Sequence, residues 1–334
     1  MTVELCLIGV GNFARVIHNK MQQVKGCEVR YCYHPKEETA KRFDSERGTS
    51  DLKRALEDVD GALIVTPNDA HFGNIKECLK ADKHIFVEKP VTSLYRDALK
   101  LKSMIKKNLI FMVGHNQRRE SYFRYAKKLL DKNKLGKIVS AYFNLSHGGA
   151  FSFVPSQWRY SLKRHREGPL ITAGVHIMDT VHYLFGEVDS AYTRISNISK
   201  QTEAPDCNAV ILGLKNGASV FIQANYNMPS EESYTIHGTE GTIYINRGNF
   251  FLRMGRDRKV RDSFVPSKPS LIKLKKIDSI KEELTEFRDA IKWGAKVETG
   301  FQEGLNALAL IEACYRSSQT NKAVLMRDFK DYRV

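Results

Sequence analysis

VELCLIGVGNFA, residues 3–14, decides the fold. A short apolar run stops at Gly9, and within a few residues a helix-period pattern begins. The run predicts a buried strand, and the spacing of Phe13, Val16, Ile17 and Met21 predicts a helix behind it. Between them lies Gly9-Val10-Gly11-Asn12-Phe13-Ala14, a GxGxxA turn. Gly9 permits the tight bend and Gly11 lets backbone approach a pyrophosphate. The small Ala14 lets the helix pack close to the sheet, with its N-terminus facing the anion. Alone, the pattern is common. After a first strand and before a helix, it predicts dinucleotide binding at Gly9, Gly11, Asn12 and Phe13.

Outward from this turn the alternation continues. CEVRYCY, GALIVTP, KHIFVEKP and LIFMVGH read as strands. KEETAKRFDSERG, DAHFGNIKECLKAD and SLYRDALKLKSMIKKN read as the helices between them. Mostly apolar strands separated by helices imply parallel pairing with both sheet faces covered. Right-handed crossovers then give a doubly wound sheet.

Ligands of such a sheet lie outside the carboxyl ends of its strands. The expected edge therefore carries Gly9 to Phe13, His34 with Lys36, Thr66-Pro67-Asn68 with His71, and Glu88-Lys89. Glu88 and Lys89 end the apolar strand of HIFVEKPV (84–91), an unusual place for a charged pair, and Lys89 is expected where a nicotinamide lies. His34 falls about 20 residues beyond Ala14, where an acid commonly binds the ribose of NAD. With no carboxylate there and Lys36 close by, the position tolerates a 2′-phosphate, so NAD or NADP is expected with a lean to NADP. His34 as an ordinary loop residue stays open as the alternative.

After residue 117 the pattern changes. RESYFRYAKKLLDKN reads as a helix, and KIVSAYFNLSHGG as a strand with Val139, Ala141, Phe143 and Leu145 on one face. Repeated strand signals over residues 187–255, separated by turns such as Asn216-Gly217, predict a largely antiparallel sheet. DRKVRDSFVPSKPS reads as a basic surface excursion, and two helices near 279–293 and 302–318 close the chain. The expected division is 1–117 for a dinucleotide-binding domain and 118–334 for a substrate-binding and oligomerisation domain.

At 334 residues, 42% hydrophobic and 27% charged, the composition is that of an ordinary globular protein. No apolar run approaches the roughly 18 residues of a membrane span, so no membrane association is expected. Six scattered cysteines without metal-like spacing suggest reduced core thiols, a cytoplasmic location and no metal site. The net charge of +15 favours anionic partners. The basic residues are dispersed and no nucleic-acid-binding motif accompanies them, so specific nucleic-acid binding is not expected. An anionic substrate or cofactor accounts for the charge more simply.

IGVGNFA, IVTPNDAHFGNIKECLKADKHIFVEKPV, VGHNQRR and WRYSLKRHREGPLITAGVHIMDTVHYLFG, in this order, resemble the glucose–fructose oxidoreductase/inositol dehydrogenase (Gfo/Idh/MocA) family. The likeness covers nearly the whole chain. It implies an α/β protein: an N-terminal Rossmann domain, then an α+β domain whose large, mostly antiparallel open sheet often supports oligomerisation. It also implies hydride transfer between NAD or NADP and a secondary alcohol or ketone of a sugar, cyclitol or nucleotide sugar, in a homo-oligomer (dimer or tetramer). A non-catalytic dinucleotide-binding regulator on the same fold is the alternative.

The resemblance implies that Lys89 touches the nicotinamide ribose and the reacting oxygen, and that His176 is an acid/base residue. Family dehydrogenases commonly place an aspartate four positions before that histidine, where this chain has Thr172. The Asp–His dyad is therefore absent. By its own chemistry, histidine suits proton transfer at neutral pH, with a helix-start histidine bonded to backbone as the alternative for His176. Asp179, three residues beyond His176 on a helix beginning near Gly174, shares its face and is expected either to fix its tautomer or to serve the structure alone. Thr172 either orients His176 or a substrate hydroxyl, or fills space. Gln117, Arg118, Trp158 and Arg159 are candidate substrate contacts, the two arginines for an anionic part, with solvated surface arginines as the alternative. Lys163, Arg164 and Arg166 are expected to form a basic flap.

Overall fold

The computed structural model describes residues 2–334, which divide into two compact units. The first contains the chain up to Arg119 together with Asp278–Leu308; the second contains Glu120–Ile277 and Ala309–Val334.

In the first unit the strands are β1 (Val3–Ile8), β2 (Cys27–Tyr33), β3 (Gly48–Thr49), β4 (Gly61–Ile64), β5 (His84–Glu88) and β6 (Phe111–Gly114). The helices between them are α1 (Asn12–Met21), α2 (Glu37–Phe43), α3 (Leu52–Glu57), α4 (Asn68–Lys80) and α5 (Tyr95–Lys102). The sheet order is β3-β2-β1-β4-β5-β6, and every pairing is parallel. This is the doubly wound sheet that the sequence pattern predicts. Leu5, Leu7 and Ile8 of β1 are fully buried, as a strand covered on both faces requires.

Helix α1 forms where expected, but its buried stripe is Ala14, Ile17, His18 and Met21. Phe13 and Val16 are 45% and 38% exposed, so the expected apolar face is only partly right. Ala14 without bulk lets the helix sit against the strands, and this rotates Phe13 outward.

The expected boundary at 117/118 differs from the observed division. It falls inside the short turn Asn116–Arg119, and the chain later returns to the first unit. The reason is α8 (Ser279–Trp293), whose Leu284 and Phe287 join the core formed by Leu5, Leu7, Ile17 and Phe86. The rings of Phe86 and Phe287 lie 5.8 Å apart. Asp278 caps the helix by accepting from the Lys281 N–H, and Gly294 closes it in the left-handed conformation. Buried Arg119 ties the same helix down, its Nη2 donating to Glu286 at 2.8 Å.

The second unit holds α6 (Ser121–Asp131), β7 (Ile138–Ser146), α7 (Val175–Phe185), β8 (Val188–Ser196), β9 (Cys207–Leu214), β10 (Ser219–Gln223) and β11 (Glu231–Gly238). It continues with β12 (Gly241–Asn246), β13 (Asn249–Met254), β14 (Arg258–Val260), β15 (Ser263–Val265) and β16 (Ser270–Ile272). Helix α9 (Phe301–Thr320) enters it from Ala309, and β17 (Val324–Leu325) follows. Its large sheet runs β16-β13-β12-β11-β7-β10-β9-β8-β17, antiparallel except for the β7–β10 pair. On β7, Ala141 and Phe143 point inward while Val139 is 56% exposed, so one member of the predicted face lies outside the core. The predicted basic excursion is the hairpin β14–β15, whose residues are all exposed. Among the described residues, no helix is long and apolar enough to cross a membrane. All six cysteines are unpaired thiols.

Candidate functional site

The strand-end edge of the first sheet begins at the glycine turn. Gly9 has φ +102°, and a Cβ there would lie 2.7 Å from the Val65 carbonyl oxygen, so glycine is required by backbone alone. Gly11 is different. It sits extended at the N-cap of α1, and a Cβ there would meet nothing within 4 Å. That open space lies before a helix end with no side-chain cap and no acid in its first turn. Four orphan N–H groups and the positive end of the helix dipole therefore face it. Such a cradle fits a dinucleotide pyrophosphate. Asn12 and Phe13 are exposed beside it.

At the end of β4, Thr66 and Pro67 lead into α4, and Asn68 is buried with its Nδ2 bonded to no group among the described residues. An orphaned amide N–H at a ligand edge fits a donor kept for a bound molecule. His71 is wholly buried. Its Nδ1 lies 2.8 Å from the Pro90 oxygen and its Nε2 3.0 Å from the Thr66 oxygen. It therefore staples the turn after β4 to the turn after β5, which positions the edge from within. Burial holds its pKa below the ordinary range against the pull of those two carbonyls.

Glu88 ends β5 in the core, 7% exposed, with its carboxyl against Gly114 on β6. Burial pushes its pKa up to about 7, opposed by the ammonium of Lys89. Lys89 itself is half-buried, and the Lys89–Pro90 peptide is cis. At the end of β2, the Nδ1 of His34 accepts from the Lys36 N–H at 3.0 Å, and Lys36 is exposed. The nearest acid in sequence, Glu37, accepts from the Ser50 N–H at 2.6 Å. After β6, Gln117 and Arg118 are buried, and Arg118 lies 3.9 Å from the Glu298 carboxylate.

The second unit carries a cluster of its own. Residues Leu170–Gly174 form a widened π-helical turn that runs directly into α7. Thr172 is buried on it, donating to the Pro169 oxygen at 3.3 Å and hydrogen-bonded to the Tyr226 hydroxyl. His176 is half-buried in the first turn of α7, and its carbonyl accepts from the Thr180 hydroxyl at 2.9 Å. Asp179, one helical turn on, is 1% exposed. Trp158 stands edge-on to His165 with centroids 5.0 Å apart, and the Arg159 guanidinium lies 4.5 Å from the Trp158 ring. Arg166 is no flap: it pairs with Glu167 at 2.5 Å and Glu312 at 3.2 Å and lies 4.1 Å from the Tyr315 ring.

Three residues of this cluster escape sequence reasoning: His147, His165 and Tyr226. His165 is hidden among cations in SLKRHREG, which reads as a solvated segment, yet it is 1% exposed with neither ring nitrogen bonded among the described residues. Burial, with Arg159 adding to it, drives its pKa down to about 3, so the ring is neutral at physiological pH. Tyr226 stacks on His165 at 6.2 Å and packs at a tilt against His147 at 4.6 Å. No spacing in the sequence joins these positions. Only folding does.

A parallel doubly wound sheet, a glycine cradle at the first helix and a lysine at a neighbouring strand end define a dinucleotide-binding oxidoreductase. The chain belongs to the Gfo/Idh/MocA oxidoreductase family: residues 3–115 match its NAD-binding Rossmann fold and residues 127–326 its C-terminal alpha/beta domain. It is 23% identical to scyllo-inositol 2-dehydrogenase (NADP(+)) of Bacillus subtilis strain 168, across 97% of this chain and 96% of that protein. The fold matches levoglucosan dehydrogenase in complex with NADH and levoglucosan with a TM-score of 0.84, at 22% identity over 97% of this chain and 99% of that one. It matches aldose-aldose oxidoreductase of Caulobacter crescentus, complexed with glycerol, with a TM-score of 0.86, at 20% identity over 97% and 100%. The protein is an NAD(P)-dependent oxidoreductase, and the regulator alternative finds no support in these relatives.

Proposed function

We propose that this oxidoreductase interconverts a secondary alcohol and a ketone on a sugar or cyclitol, with NADP(H) preferred over NAD(H). One observation carries the reading: the edge of the first sheet holds both the open cradle at Gly11 and Lys89, on strands in the order β1-β4-β5. The sugar and cyclitol substrates of the relatives support the substrate class. The lean to NADP(H) rests on His34 and exposed Lys36 at the end of β2, where Glu37 is taken up by a backbone N–H.

The dinucleotide, when bound, gives or accepts the hydride. The chain's own residues handle the proton and the charge. His176 takes the proton of the secondary hydroxyl in oxidation and returns it in reduction. The Lys89 ammonium steadies the negative charge developing on that oxygen. Asp179 orients the imidazole. Thr172 takes the position of the acid that family dehydrogenases commonly carry, and contributes a hydroxyl already engaged with Tyr226. Gln117 and Trp158 are proposed substrate contacts. Arg118, buried beside Glu298, is proposed to shape the edge and to leave contact with substrate to others.

A homo-oligomer in the cytoplasm completes the reading. The outer face of the large sheet bears Tyr142, Tyr192 and Ile211 at 49%, 38% and 42% exposure, and such an apolar face suits a second copy. The six unpaired thiols suit a reducing compartment.

Thermal unfolding with NAD, NADH, NADP and NADPH, followed by sugars and cyclitols added to the most stabilised form, tests the proposal. A ligand of the native state at a hundred times its Kd stabilises by about 2.7 kcal/mol. NADP(H) is expected to give the largest shift. No shift with any dinucleotide would overturn the reading.

A further inference from the structure

Arg159 differs from its neighbour Arg166. Arg166 is neutralised by Glu167 and Glu312. Among the described residues no carboxylate pairs with Arg159, whose guanidinium instead packs 4.5 Å from the Trp158 ring. From there the cluster runs inward through side chains that carry no negative charge. Trp158 meets His165 at 5.0 Å, His165 stacks on Tyr226 at 6.2 Å, and Tyr226 meets His147 at 4.6 Å and Phe153 at 5.4 Å. The Tyr226 hydroxyl ends at the hydroxyl of Thr172.

The segment is fixed in place. The Tyr160 oxygen accepts from the Ala204 N–H at 3.0 Å, and Gly168, at φ +57°, lies so close to Pro205 that a Cβ would come within 2.4 Å of its carbonyl oxygen. His165, 1% exposed, keeps both ring nitrogens without a partner among the described residues. Burial and the Arg159 charge hold His147 and His165 toward the neutral form, so neither needs a counter-ion.

A guanidinium stacked on an aromatic ring, beside neutral donors and lacking a carboxylate of its own, matches the fork of a carboxylate or phosphate. We propose that the substrate carries an anionic substituent, a carboxylate or a phosphate, bound by Arg159, and that Thr172 and Tyr226, which carry no negative charge, keep this part of the site receptive to it. This rests on the sugar-oxidoreductase reading and deepens it. Thr172 becomes a specificity residue: a carboxylate in its place would put a negative charge into the cluster and compete with the anion.

The test uses the full-length protein saturated with NADPH or NADP, and measures binding by thermal shift and turnover by initial rates. Matched pairs separate the sources: glucuronate against glucose for a carboxylate, glucose 6-phosphate against glucose for a phosphate. The anionic member of one pair is expected to bind and react at about tenfold to a hundredfold lower concentration, the range of a charge-assisted hydrogen bond. Arg159→Gln and, separately, Thr172→Asp are expected to abolish that advantage, whereas Thr172→Val, which adds no charge, keeps most of it. Equal response to both members of each pair, no response to any anionic sugar, or an undiminished anion preference in Arg159→Gln would overturn the proposal. In each of those cases a dinucleotide shift leaves the oxidoreductase reading standing, and its loss would overturn that reading instead.

Discussion

The two units prepare their chemistry by different physical means. In the first, the part proposed to face ligand is mostly backbone: a glycine at φ +102°, an open Cβ position at Gly11, an uncapped helix end, and turns joined by His71. In the second it is side chains, aromatic rings and imidazoles drawn from residues 147, 158, 165, 172 and 226. A backbone device needs particular residues at adjacent positions and leaves a short motif. A side-chain cluster needs only that distant residues end up buried together. The burial also works in opposite directions: it raises the pKa of a carboxyl in the first unit and lowers that of an imidazole in the second.

The largest expected effect falls on both units equally. Lys89→Ala and His176→Ala should each lower kcat by about 10²–10⁴-fold on an identified substrate, the range for a lost acid/base or charge-stabilising group. Thermal stability should hold, because both side chains are only half-buried. Near-full turnover in both variants would remove the catalytic assignment.

Next in size is a structural break confined to the first unit. Arg119 is fully buried and donates to Glu286 at 2.8 Å. Arg119→Ala removes the cation from the carboxylates of Glu283 and Glu286, 4.0 and 2.8 Å away, and should cost about 3–5 kcal/mol in urea unfolding. A loss below about 1 kcal/mol, the scale of an ordinary exposed pair, would mean that the return of α8 does not depend on this contact.

The opposed titrations sharpen the comparison further. Glu88 has a folded pKa raised to about 7, so its favourable state is the neutral one. Its contribution is complete below the unfolded value and is lost as pH rises through 7, by about 3 kcal/mol. Glu88→Gln should flatten that loss. His165 has a folded pKa lowered to about 3. Its contribution is complete above about pH 6.5 and is lost as pH falls, by about 2 kcal/mol at pH 5. His165→Phe should flatten that loss instead. Unfolding curves at pH 5, 6.5 and 8 distinguish the two, and identical pH profiles for wild type and both variants would cancel the contrast.

The smallest effect separates fold from ligand within one motif. Gly9→Ala forces a side chain onto the Val65 carbonyl at an unfavourable φ and should cost about 1–3 kcal/mol without any ligand. Gly11→Leu should leave ligand-free stability within about 0.5 kcal/mol, because its side chain enters open space. It should nevertheless abolish the stabilisation by dinucleotide. A normal dinucleotide shift in Gly11→Leu would show that the cradle is not used.

Much of the first unit is legible in the amino-acid sequence. Strand–helix alternation, the GxGxxA turn and the strand-end positions of Thr66, Asn68 and Lys89 follow from local period and glycine conformation. The orientation of α1 is less so: Phe13 and Val16 look apolar-facing in sequence and are exposed, because the closeness allowed by Ala14 sets the rotation. In the second unit His176 and Thr172 are reached through family likeness. His165, which reads as part of a basic flap, and Tyr226, with no motif around it, are not.

By itself, the sequence determined the doubly wound sheet, its glycine turn and the residues at its strand ends, because periodicity and backbone freedom act between near neighbours in the chain. The tertiary structure alone decided that residues 278–308 belong with the first unit, that Arg119 and Glu88 are buried, and that His165, Tyr226 and Thr172 share one cluster. Desolvation decides these, and it depends on what the fold packs around a group, which no local stretch of sequence specifies.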